Sequence, residues 1–364
     1  MDSLTHLALS GSIVAAIVPQ RHRRAGMLAG MALGTLPDLD VLLVNALTSN
    51  PILQMADHRG FSHSLLIMPL VLVLIWWICH QRGHRVAQAP MRWFWAIQLA
   101  LISHLLLDAL TIYGTQLWWP LKPHPTSWAS IFIIDPIYTL CLLIPCLMAW
   151  FAPRQNWSHT AVSIGLALSL GYLGWSLIAK HQVEQAAQAS LNRLNLADAP
   201  RFSNPLPFNT LLWRVGVLTP DGYLLGDYSL IADDGHIDFQ AYPSEHQALA
   251  AVNHFPNVAT LNWFNQGFMR AQIHNEQLIL SDLRMGLEPE YTFNFIVAQR
   301  QNGQWHERRP VQASATYRSL VTEGTFTQAL QRLWQRIWRS QPGVFNAPPV
   351  ASEAAIAISS DEGL

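Results

Sequence analysis

The stretch ADHRGFSHS carries the densest set of reactive side chains in the sequence, and it directly precedes a long apolar run that begins at Leu65. It holds two histidines, His58 and His63, together with Asp57 and Arg59. Imidazole nitrogens and carboxylates are the preferred ligands of zinc and its first-row neighbours, and arginine binds phosphate through two parallel hydrogen bonds. The stretch therefore indicates metal and phosphate chemistry at the edge of an apolar segment.

Other histidines and aspartates stand at the ends of further apolar segments. His6 opens the first segment in DSLTH, and Asp38 and Asp40 close the second in PDLD. His104 and Asp108 are four residues apart in HLLLD, which places them on one face of a helix. An ionisable group at mid-bilayer costs about 2.5–3.5 kcal/mol or more, so such groups are functional by default.

Each motif also has a structural explanation. An HxxxD pair can be a buried hydrogen-bonded pair, PDLD can be a helix stop with solvated aspartates, and HRGFSH can be an interfacial loop. A single histidine such as His6 occurs at the start of an apolar segment about as often as chance predicts. Asp135, which precedes Pro136 in IIDP, can cap a helix. The interpretation as a metal site depends on all the motifs lying on the same side of the membrane.

Apolar segments that approach or reach membrane-span length fill the first half of the chain. A span needs roughly 20 mainly apolar residues, and the sequence predicts an α-helical membrane bundle of about six helices. The segments are 4–18, 25–47, 61–79, 93–113, 131–152 and 160–179. The first two are rich in small residues that allow close helix packing, and they are alternatively buried helices of a compact bundle.

The distribution of arginines predicts the orientation of the bundle. Arginines concentrate in three alternate loops: Arg21, Arg23 and Arg24, then Arg82, Arg85 and Arg92, then Arg154. The intervening loops hold only Arg59 and Lys122. Because basic loops stay in the cytoplasm, the N-terminus and the chain after Lys180 are expected outside. The same threading brings the histidine and aspartate motifs together on the outer side.

This convergence predicts one metal site. The expected ligands are His6, Asp38, Asp40, His58, His63, His104 and Asp108. They exceed one tetrahedral shell and suit two divalent ions, of zinc type with manganese or iron also compatible, that clamp the oxygens of a phosphoryl displacement. Arg59 is expected to bind phosphate, and Asp57 or Asp135 to transfer a proton. The predicted activity is hydrolysis of a phosphate ester or lipid head group at the outer membrane–water boundary.

Two non-enzymatic functions compete with this prediction. A structural metal that only ties helices together fits the same residues. A transporter needs polar groups along a path through the bilayer, whereas here they crowd one side, so transport ranks lower. Charged residues are only 12% of the chain and the net charge is −1, with no basic stripe, which argues against a nucleic-acid partner. The expected partners are the lipid bilayer and a phospholipid or other amphipathic phosphoester substrate.

The chain after Lys180 changes to the composition of a soluble protein. Short apolar runs separated by turn signals predict strands at 211–218, 223–231, 257–264, 267–274, 277–283 and 291–300. The predicted organisation is a membrane domain 1–180, a helical linker 181–204, an extracytoplasmic, mainly antiparallel β (α+β) domain 205–341 that ends in a helix, and a disordered tail 342–364.

Two features of the second half have two explanations each. Asp282 and Arg284, with Trp213 and Arg214, form either a structural salt bridge or part of a lid over the site. In the terminal helix 325–340, one face is expected to carry Leu330, Leu333, Trp334 and Ile337, with Arg332, Arg336 and Arg339 mostly off it. This pattern is typical of a membrane-surface helix and equally of a helix packed on a sheet.

Taken together, DSLTH, PDLD, HRGFSHS and HLLLDALTIYG followed by LWWP resemble the bacterial inner-membrane metal-dependent hydrolases of the YdjM-like family. NPLPFNTLLWR and SDLRMG resemble the soluble domain of its longer members. The resemblance implies a membrane-bound, zinc-type hydrolase, and the PDxD and HxxxD elements are similar to those of zinc-dependent phospholipases C. It also implies the seven metal ligands named above, but no substrate. Ser62 stands where threonine is more usual.

Overall fold

The computed structural model describes residues 1–83, 85–288, 290–313 and 326–340, in two compact units. Unit 1 comprises Met1–Ser49, Gln54–Ile178 and Pro207–Thr210. Unit 2 comprises Asn50–Leu53, Ala179–Leu206 and the described part of Leu211–Leu364. The predicted tail 342–364 lies outside the described residues.

Unit 1 is built from helices. The first half of the chain contains α1 (Ser3–Ile17), α2 (Arg23–Thr35), α3 (Asp40–Leu47), α4 (Pro51–Asp57), α5 (Met68–Arg82), α6 (Pro90–Ala109), α7 (Pro136–Phe151) and α8 (Asn156–Arg193). Short 3-10 helices occur at Gln20–His22, Pro37–Leu39 and Phe61–His63. The predicted boundary near residue 180 falls inside α8, which continues without a break into the segment predicted as a linker.

The structure has fewer candidate membrane spans than the sequence predicts, because breaks interrupt the helices. By length and composition, only α8 among the described helices qualifies as a span by itself, with 38 residues. The count rises to three if Gln20–Thr35 with Pro37–Leu47 and Pro51–His63 with Met68–Arg82 are each one bent span, with bends of 43° and 51°. The prediction of about six spans is therefore wrong. Proline cannot donate a backbone hydrogen bond, and Pro37 stands at the break between α2 and the next 3-10 helix, where the second apolar segment bends.

Helices α1 and α2 pack closely because glycines face the contact. A Cβ atom on Gly34 would lie 2.3 Å from Oγ of Ser10, and one on Gly30 would lie 2.6 Å from the carbonyl oxygen of Ser10. Small residues let two helix backbones approach in this way. The contact brings the start of α1, which carries His6, beside the end of α2, which leads to Asp38.

The outer surface of unit 1 is rich in large apolar side chains. Leu70 and Leu170 are each 68% exposed and Phe151 is 74% exposed. Extended apolar surface of this kind marks contact with a membrane or a partner rather than with water.

Unit 2 contains antiparallel β-sheets, as the sequence predicts for the second half. Its strands are β1 (Arg201–Pro205), β2 (Leu212–Thr219), β3 (Gly222–Ser229), β4 (Gln240–Pro243), β5 (Met269–His274), β6 (Gln277–Asp282), β7 (Gly286–Leu287), β8 (Glu290–Tyr291), β9 (Asn294–Gln301) and β10 (Gln304–Gln312). One sheet has the order β1-β2-β3-β4, a second β10-β9-β6-β5, and β7 pairs with β8. The C-terminal part of α8 packs on the first sheet through Val183 and Ala187 against Trp213 and Val215.

One predicted strand is a helix. Residues 257–264 fall within α10 (Pro256–Asn265), which follows α9 (His246–Val252). Pro256 occupies the first turn, where its missing N–H costs nothing. Val258, Leu261 and Phe264 are buried at a spacing of three, which matches a helix face and not the alternation of a strand.

The terminal helix α11 (Phe326–Trp338) packs within unit 2. Leu333 and Ile337 join a core cluster with Leu206 and Leu212. Arg336, expected off the apolar face, is buried in an ion pair with Asp233, whereas Trp334 is 62% exposed. The structure favours the interpretation of a helix packed on a sheet. It also corrects the prediction for two side chains, since Arg336 is buried and Trp334 is exposed.

Candidate metal centre

Four buried or half-buried side chains converge in unit 1. Asp38, His63, His104 and Asp108 each offer one ligand atom, and these atoms all lie within 4.8 Å of one another. We call them the four-donor group. Two of its members lie on the 3-10 helices that interrupt the bent pairs, and the other two lie one turn apart near the end of α6. The helix breaks therefore create the site.

The distances within the four-donor group match a tetrahedral ion. Nε2 of His63 lies 3.2 Å from Nε2 of His104. Both nitrogens lie 3.6 Å from Oδ1 of Asp38, and 3.2 and 3.4 Å, respectively, from Oδ2 of Asp108. Bonds of about 2.0–2.2 Å to a tetrahedral zinc place the ligand atoms about 3.3–3.6 Å apart. The donor set thus fits one ion of zinc size.

A hydrogen-bond relay orients His63. Oγ of Ser62 lies 2.5 Å from Oδ2 of Asp40 and donates to it. The same oxygen lies 2.9 Å from Nδ1 of His63 and, with its own proton committed to Asp40, accepts from that nitrogen. Nδ1 then carries the proton, and Nε2 presents its lone pair to the four-donor group. Partners of this kind commonly orient metal-binding histidines.

The two oxygens of Asp108 face different partners. Oδ2 belongs to the four-donor group, while Oδ1 lies 3.2 Å from Nε2 of His6 and 3.1 Å from Nη2 of Arg59. The amino group of Met1 also contacts Oδ1. His6 stacks on His104 with ring centroids 3.7 Å apart. Asp108 therefore links the four-donor group to His6 and Arg59.

The charges of the site are complementary to a divalent cation. With the histidines neutral, the carboxylates of Asp38, Asp40 and Asp108 outnumber the two cations of the site, the guanidinium of Arg59 and the amino group of Met1, which leaves an excess of negative charge. The side chains of Asp40 and Asp108 are fully buried and that of Asp38 is 25% exposed. Buried charge is costly unless it is compensated, and a divalent ion compensates this excess.

The remaining predicted ligands form a pair beside the four-donor group. Nδ1 of His58 lies 2.7 Å from Oδ1 of Asp40, whose other oxygen accepts from Ser62. His58 also packs edge-on against His63, with ring centroids 6.1 Å apart. The structure thus divides the seven predicted ligands into the four-donor group, His6 on the far oxygen of Asp108, and the Asp40–His58 pair.

Arg59 is buried at the centre of this network. It adopts the left-handed conformation with a φ of 63°, which costs a non-glycine residue about 1–2 kcal/mol. Its backbone N–H donates to Asp40, and its Nη1 lies 3.2 Å from Oγ1 of Thr111. Its guanidinium also lies over the ring of Tyr113, 4.9 Å from the centroid. These contacts hold the strained residue against Asp108.

The two predicted proton-transfer residues lie in other surroundings. Asp135 caps α7: one oxygen accepts from the backbone nitrogen of Tyr138 and the other from the hydroxyl of Tyr172. Asp57 is exposed and lines a cavity of about 240 Å³ together with Gln116 and apolar side chains. The helix-cap explanation therefore describes the contacts of Asp135.

The charged groups singled out in unit 2 form ion pairs within that unit. Arg284 makes a two-pronged ion pair with Asp282, and Arg214 makes one with Asp227 at 2.8 and 3.0 Å. Burial lowers the pKa of Arg214, but the carboxylate of Asp227 outweighs that effect and leaves the pKa raised. These contacts favour the structural explanation over a lid.

Sequence reasoning missed the roles of Ser62 and Thr111. Ser62 bridges Asp40 and His63, and Thr111 accepts from Arg59. A hydroxyl directly before a predicted ligand, within the same motif, is a signal that could have pointed to Ser62. Thr111 stands three residues beyond Asp108 in HLLLDALT, which carries no comparable signal.

Comparisons with known proteins identify one matching family and two relatives. Residues 1–183 match a family described as YdjM inner membrane protein. The uncharacterized protein YfhP of Bacillus subtilis (strain 168) is 24% identical over 247 residues, covering 62% of this chain and 68% of that protein. The inner membrane protein YbcI of Escherichia coli (strain K12) is 34% identical over 97 residues, covering 26% of this chain and 51% of that protein. No solved structure matches.

Proposed function

The chain belongs to the YdjM inner membrane protein family, and from this membership and the geometry of the four-donor group we propose that it is an inner-membrane, metal-dependent hydrolase of phosphate esters. The observation that carries the proposal is a set of five distances of 3.2–3.6 Å, one between the two imidazole nitrogens and four from these nitrogens to the two carboxylates. The family description names a membrane and no reaction, so the reaction is inferred from the site.

We assign one zinc-type divalent ion to the four-donor group. Such an ion, when bound, supplies a Lewis acid that polarises a phosphoryl oxygen and makes a water molecule nucleophilic at neutral pH. The second ion expected from the sequence stays a prediction. The positive charge of Arg59 at Oδ1 of Asp108 opposes a second cation there and supports a single ion.

Each neighbouring residue has a part in this proposal. Asp38 is the most exposed donor, so substrate enters on its side. Asp40 and Ser62 hold His63 in the tautomer that ligation needs. Arg59 positions Asp108, and the Nε of Arg59 has no hydrogen-bond partner among the described residues, so the guanidinium retains a donor for a phosphate oxygen. Proton transfer by Asp57 stays a prediction.

A cavity beside the Arg59 loop suits the apolar part of a substrate. It measures about 240 Å³, its apolar lining includes Leu43, Leu47, Phe61 and Trp119, and its polar side chains are those of Thr48, Asp57 and Gln116. Its wall includes Gly60 and Phe61, which stand between Arg59 and His63 in the chain. A phosphate ester with a hydrocarbon chain, such as a lipid, matches a polar site next to an apolar cavity.

A structural metal site is the second candidate, and one observation favours it. Four protein ligands fill a tetrahedral shell, as in structural zinc sites, whereas catalytic zinc sites keep a position open. Three of the four donors are fully buried. For catalysis one donor, which we take to be Asp38, must yield its position or the shell must expand.

Hydrolysis by ligand variants separates the two candidates. We expect the purified full-length protein to hydrolyse members of a phosphoester panel that includes phospholipids. His63→Ala and Asp108→Ala should lose the metal and at least about a hundredfold of the rate, because removal of a ligand removes the Lewis acid. His181→Ala, which changes an exposed histidine of α8, is the matched control and should retain both.

The folded yield of the ligand variants distinguishes a structural metal site from a catalytic one. A structural site predicts that the two ligand variants fail to fold and that the wild type has no metal-dependent activity on any member of the panel. A well-folded, metal-free Asp108→Ala variant with wild-type hydrolysis would contradict the enzyme proposal.

A further inference from the structure

A cavity of about 670 Å³ in unit 1 is lined by arginines that the proposed hydrolysis does not use. Arg21 reaches it from the 3-10 helix before α2, Arg24 from the first turn of α2, Arg85 from the α5–α6 loop, and Arg154 from the loop after α7. We call it the arginine cavity. It lies at the start of α2, whereas Asp38 follows the end of α2, so the arginine cavity and the four-donor group lie at opposite ends of that helix.

The arginine cavity has a strong excess of positive charge. None of the described residues that line it is an aspartate or a glutamate. Within the described part of the chain, Arg21, Arg85 and Arg154 have no carboxylate within ion-pair distance, unlike the buried arginines of unit 2. Converging guanidinium groups without counter-charges form a site for an anion, and their planar forks match a phosphate.

Side-chain bonds hold the walls of the cavity together. Arg23 is buried and donates to the carbonyl of Pro153 and to Oγ of Ser158, each at 2.8 Å. Arg24 donates to the carbonyls of Trp150 and Phe151 at the end of α7. These bonds tie the first turn of α2 to the end of α7 and the segment after it, and they hold Arg24 in place. The side chains of Arg21, Arg85 and Arg154 are exposed.

A further bond attaches the third wall of the cavity. Nε2 of His22 lies 2.8 Å from Oε1 of Gln88, in the segment that carries Arg85. All three segments are thereby linked, so the backbones that carry the arginines are already close together before a ligand binds, which lowers the entropic cost of binding.

Exposed aromatic side chains lie at the same end of the helices. Trp77 precedes the end of α5, Trp95 follows the start of α6, Phe151 ends α7 and Trp157 begins α8, and each is at least half exposed. Aromatic residues of this kind concentrate at the level of lipid head groups. In an inner membrane protein, these aromatic side chains predict that the arginine cavity lies at the depth of the phospholipid phosphates.

We propose that the arginine cavity binds the phosphate of an anionic phospholipid, with Arg21, Arg85 and Arg154 as its ligands and Arg24 as a fixed wall. Basic pockets between helices are known recognition sites for such head groups. The site does not depend on the proposed hydrolysis, because it shares no residue with the four-donor group.

Lipid binding by the full-length protein in a zwitterionic detergent tests this proposal. A phosphatidylglycerol is titrated against the protein, and a phosphatidylcholine of the same chain length serves as the comparison. We expect phosphatidylglycerol to bind on the order of tenfold more tightly, and the preference to shrink as salt rises, because salt screens exposed charges. Equal binding of the two lipids, or a preference that high salt leaves unchanged, would overturn the assignment.

Matched variants locate the binding. Arg85→Gln with Arg154→Gln should weaken phosphatidylglycerol binding on the order of tenfold. Arg82→Gln with Arg92→Gln removes two arginines from the same region that do not line the cavity, and it should change binding less than twofold. An equal loss in both pairs would indicate non-specific attraction and refute the site.

Lysine variants and competition by inorganic phosphate complete the test. If Arg85→Gln with Arg154→Gln folds poorly, Arg85→Lys with Arg154→Lys keeps the charge but loses the forks, and it should bind more weakly than the wild type. Wild-type binding by this lysine pair would contradict the proposed phosphate contacts. Inorganic phosphate should compete only at concentrations far above those of the lipid, whereas competition at equal concentration would show a site for free phosphate and refute the lipid assignment.

Discussion

At the scale of single residues, Ser62 decides which nitrogen of His63 faces the four-donor group. Its hydroxyl has one proton, and the short contact to Asp40 uses that proton, so the oxygen is left to accept from Nδ1. A histidine without such a partner populates both tautomers, and only one of them can bind a metal through Nε2. The relay therefore lowers the cost of binding before the ion arrives.

Ser62→Ala is expected to weaken metal binding about 10–100-fold with little change in folded yield, because loss of a partner that orients a ligand has effects of that size. Ser62→Thr keeps the hydroxyl and should bind as the wild type does. Competition with a chelator of known affinity measures all three proteins. Equal affinities for the alanine and serine forms would show that the relay has no role.

Arg59→Lys should separate positioning from metal binding. Lysine keeps a positive charge near Asp108 but cannot also reach Thr111 with a second, rigidly oriented donor. We expect metal content within about twofold of wild type and a KM for a phosphoester raised about tenfold, the equivalent of about 1.4 kcal/mol. A loss of metal together with an unchanged KM would assign Arg59 to the stability of the site alone.

The sequence indicates which residue types can form a metal site, but it does not indicate which of the seven predicted ligands come together in the four-donor group. The sequence includes all four donors among seven, because histidines and aspartates beside apolar runs are unusual. It does not distinguish Asp38 from Asp40, which are two positions apart in PDLD. Their different roles, donor and relay, depend on how the 3-10 helix Pro37–Leu39 directs each side chain, and the pattern of residue types does not encode that direction.

At the scale of elements, interrupted helices place the site. Asp38 and His63 both lie on 3-10 turns inside bent helix pairs, and His104 and Asp108 lie in the last turns of α6. Polar backbone at a helix break needs hydrogen-bond partners, and side chains in such breaks are free to face inward. Hydropathy counts apolar residues over a window and does not detect these breaks, which is why the sequence predicts more spans than the structure has.

Gly34→Ala tests whether the close contact of α1 with α2 supports the metal site. The added Cβ would lie 2.3 Å from Oγ of Ser10, so α1 must move away and take His6 with it. We expect a lower folded yield and a metal affinity reduced by about tenfold, since a shift of this kind misplaces the partners of Asp108.

Gly171→Ala is the control for that variant. No atom lies within 4 Å of the Cβ that it would add, although the position is also a helical glycine of unit 1. It should leave yield and metal content unchanged. Equal effects of the two substitutions would mean that general helix propensity, rather than the α1–α2 contact, decides the outcome.

At the scale of the whole molecule, the helical half carries the family signature and the candidate chemistry, while the second half forms an antiparallel β unit. Composition predicted this division, because charge returns to the sequence near Lys180. In unit 2, Arg214 and Arg284 pair with the carboxylates of Asp227 and Asp282. Which side of the membrane unit 2 occupies stays a prediction from the arginine-rich loops.

Reporter fusions at the end of the full-length chain test that orientation. The arginine loops predict that a C-terminal alkaline phosphatase is active, because it folds only after export, and that green fluorescent protein at the same position stays dark. The pair controls for expression, since the two reporters respond in opposite ways. Fluorescence with an inactive phosphatase would place the C-terminus in the cytoplasm and contradict the orientation predicted from the arginine-rich loops.

The metal content of the purified full-length protein tests the central claim most directly. We predict one divalent ion per chain by plasma mass spectrometry, none in His104→Ala, and close to one in His58→Ala at saturating metal, because only the first of these histidines belongs to the four-donor group. Two ions per chain, or the same metal content in wild type and well-folded His104→Ala, would contradict the single-ion site proposed for Asp38, His63, His104 and Asp108.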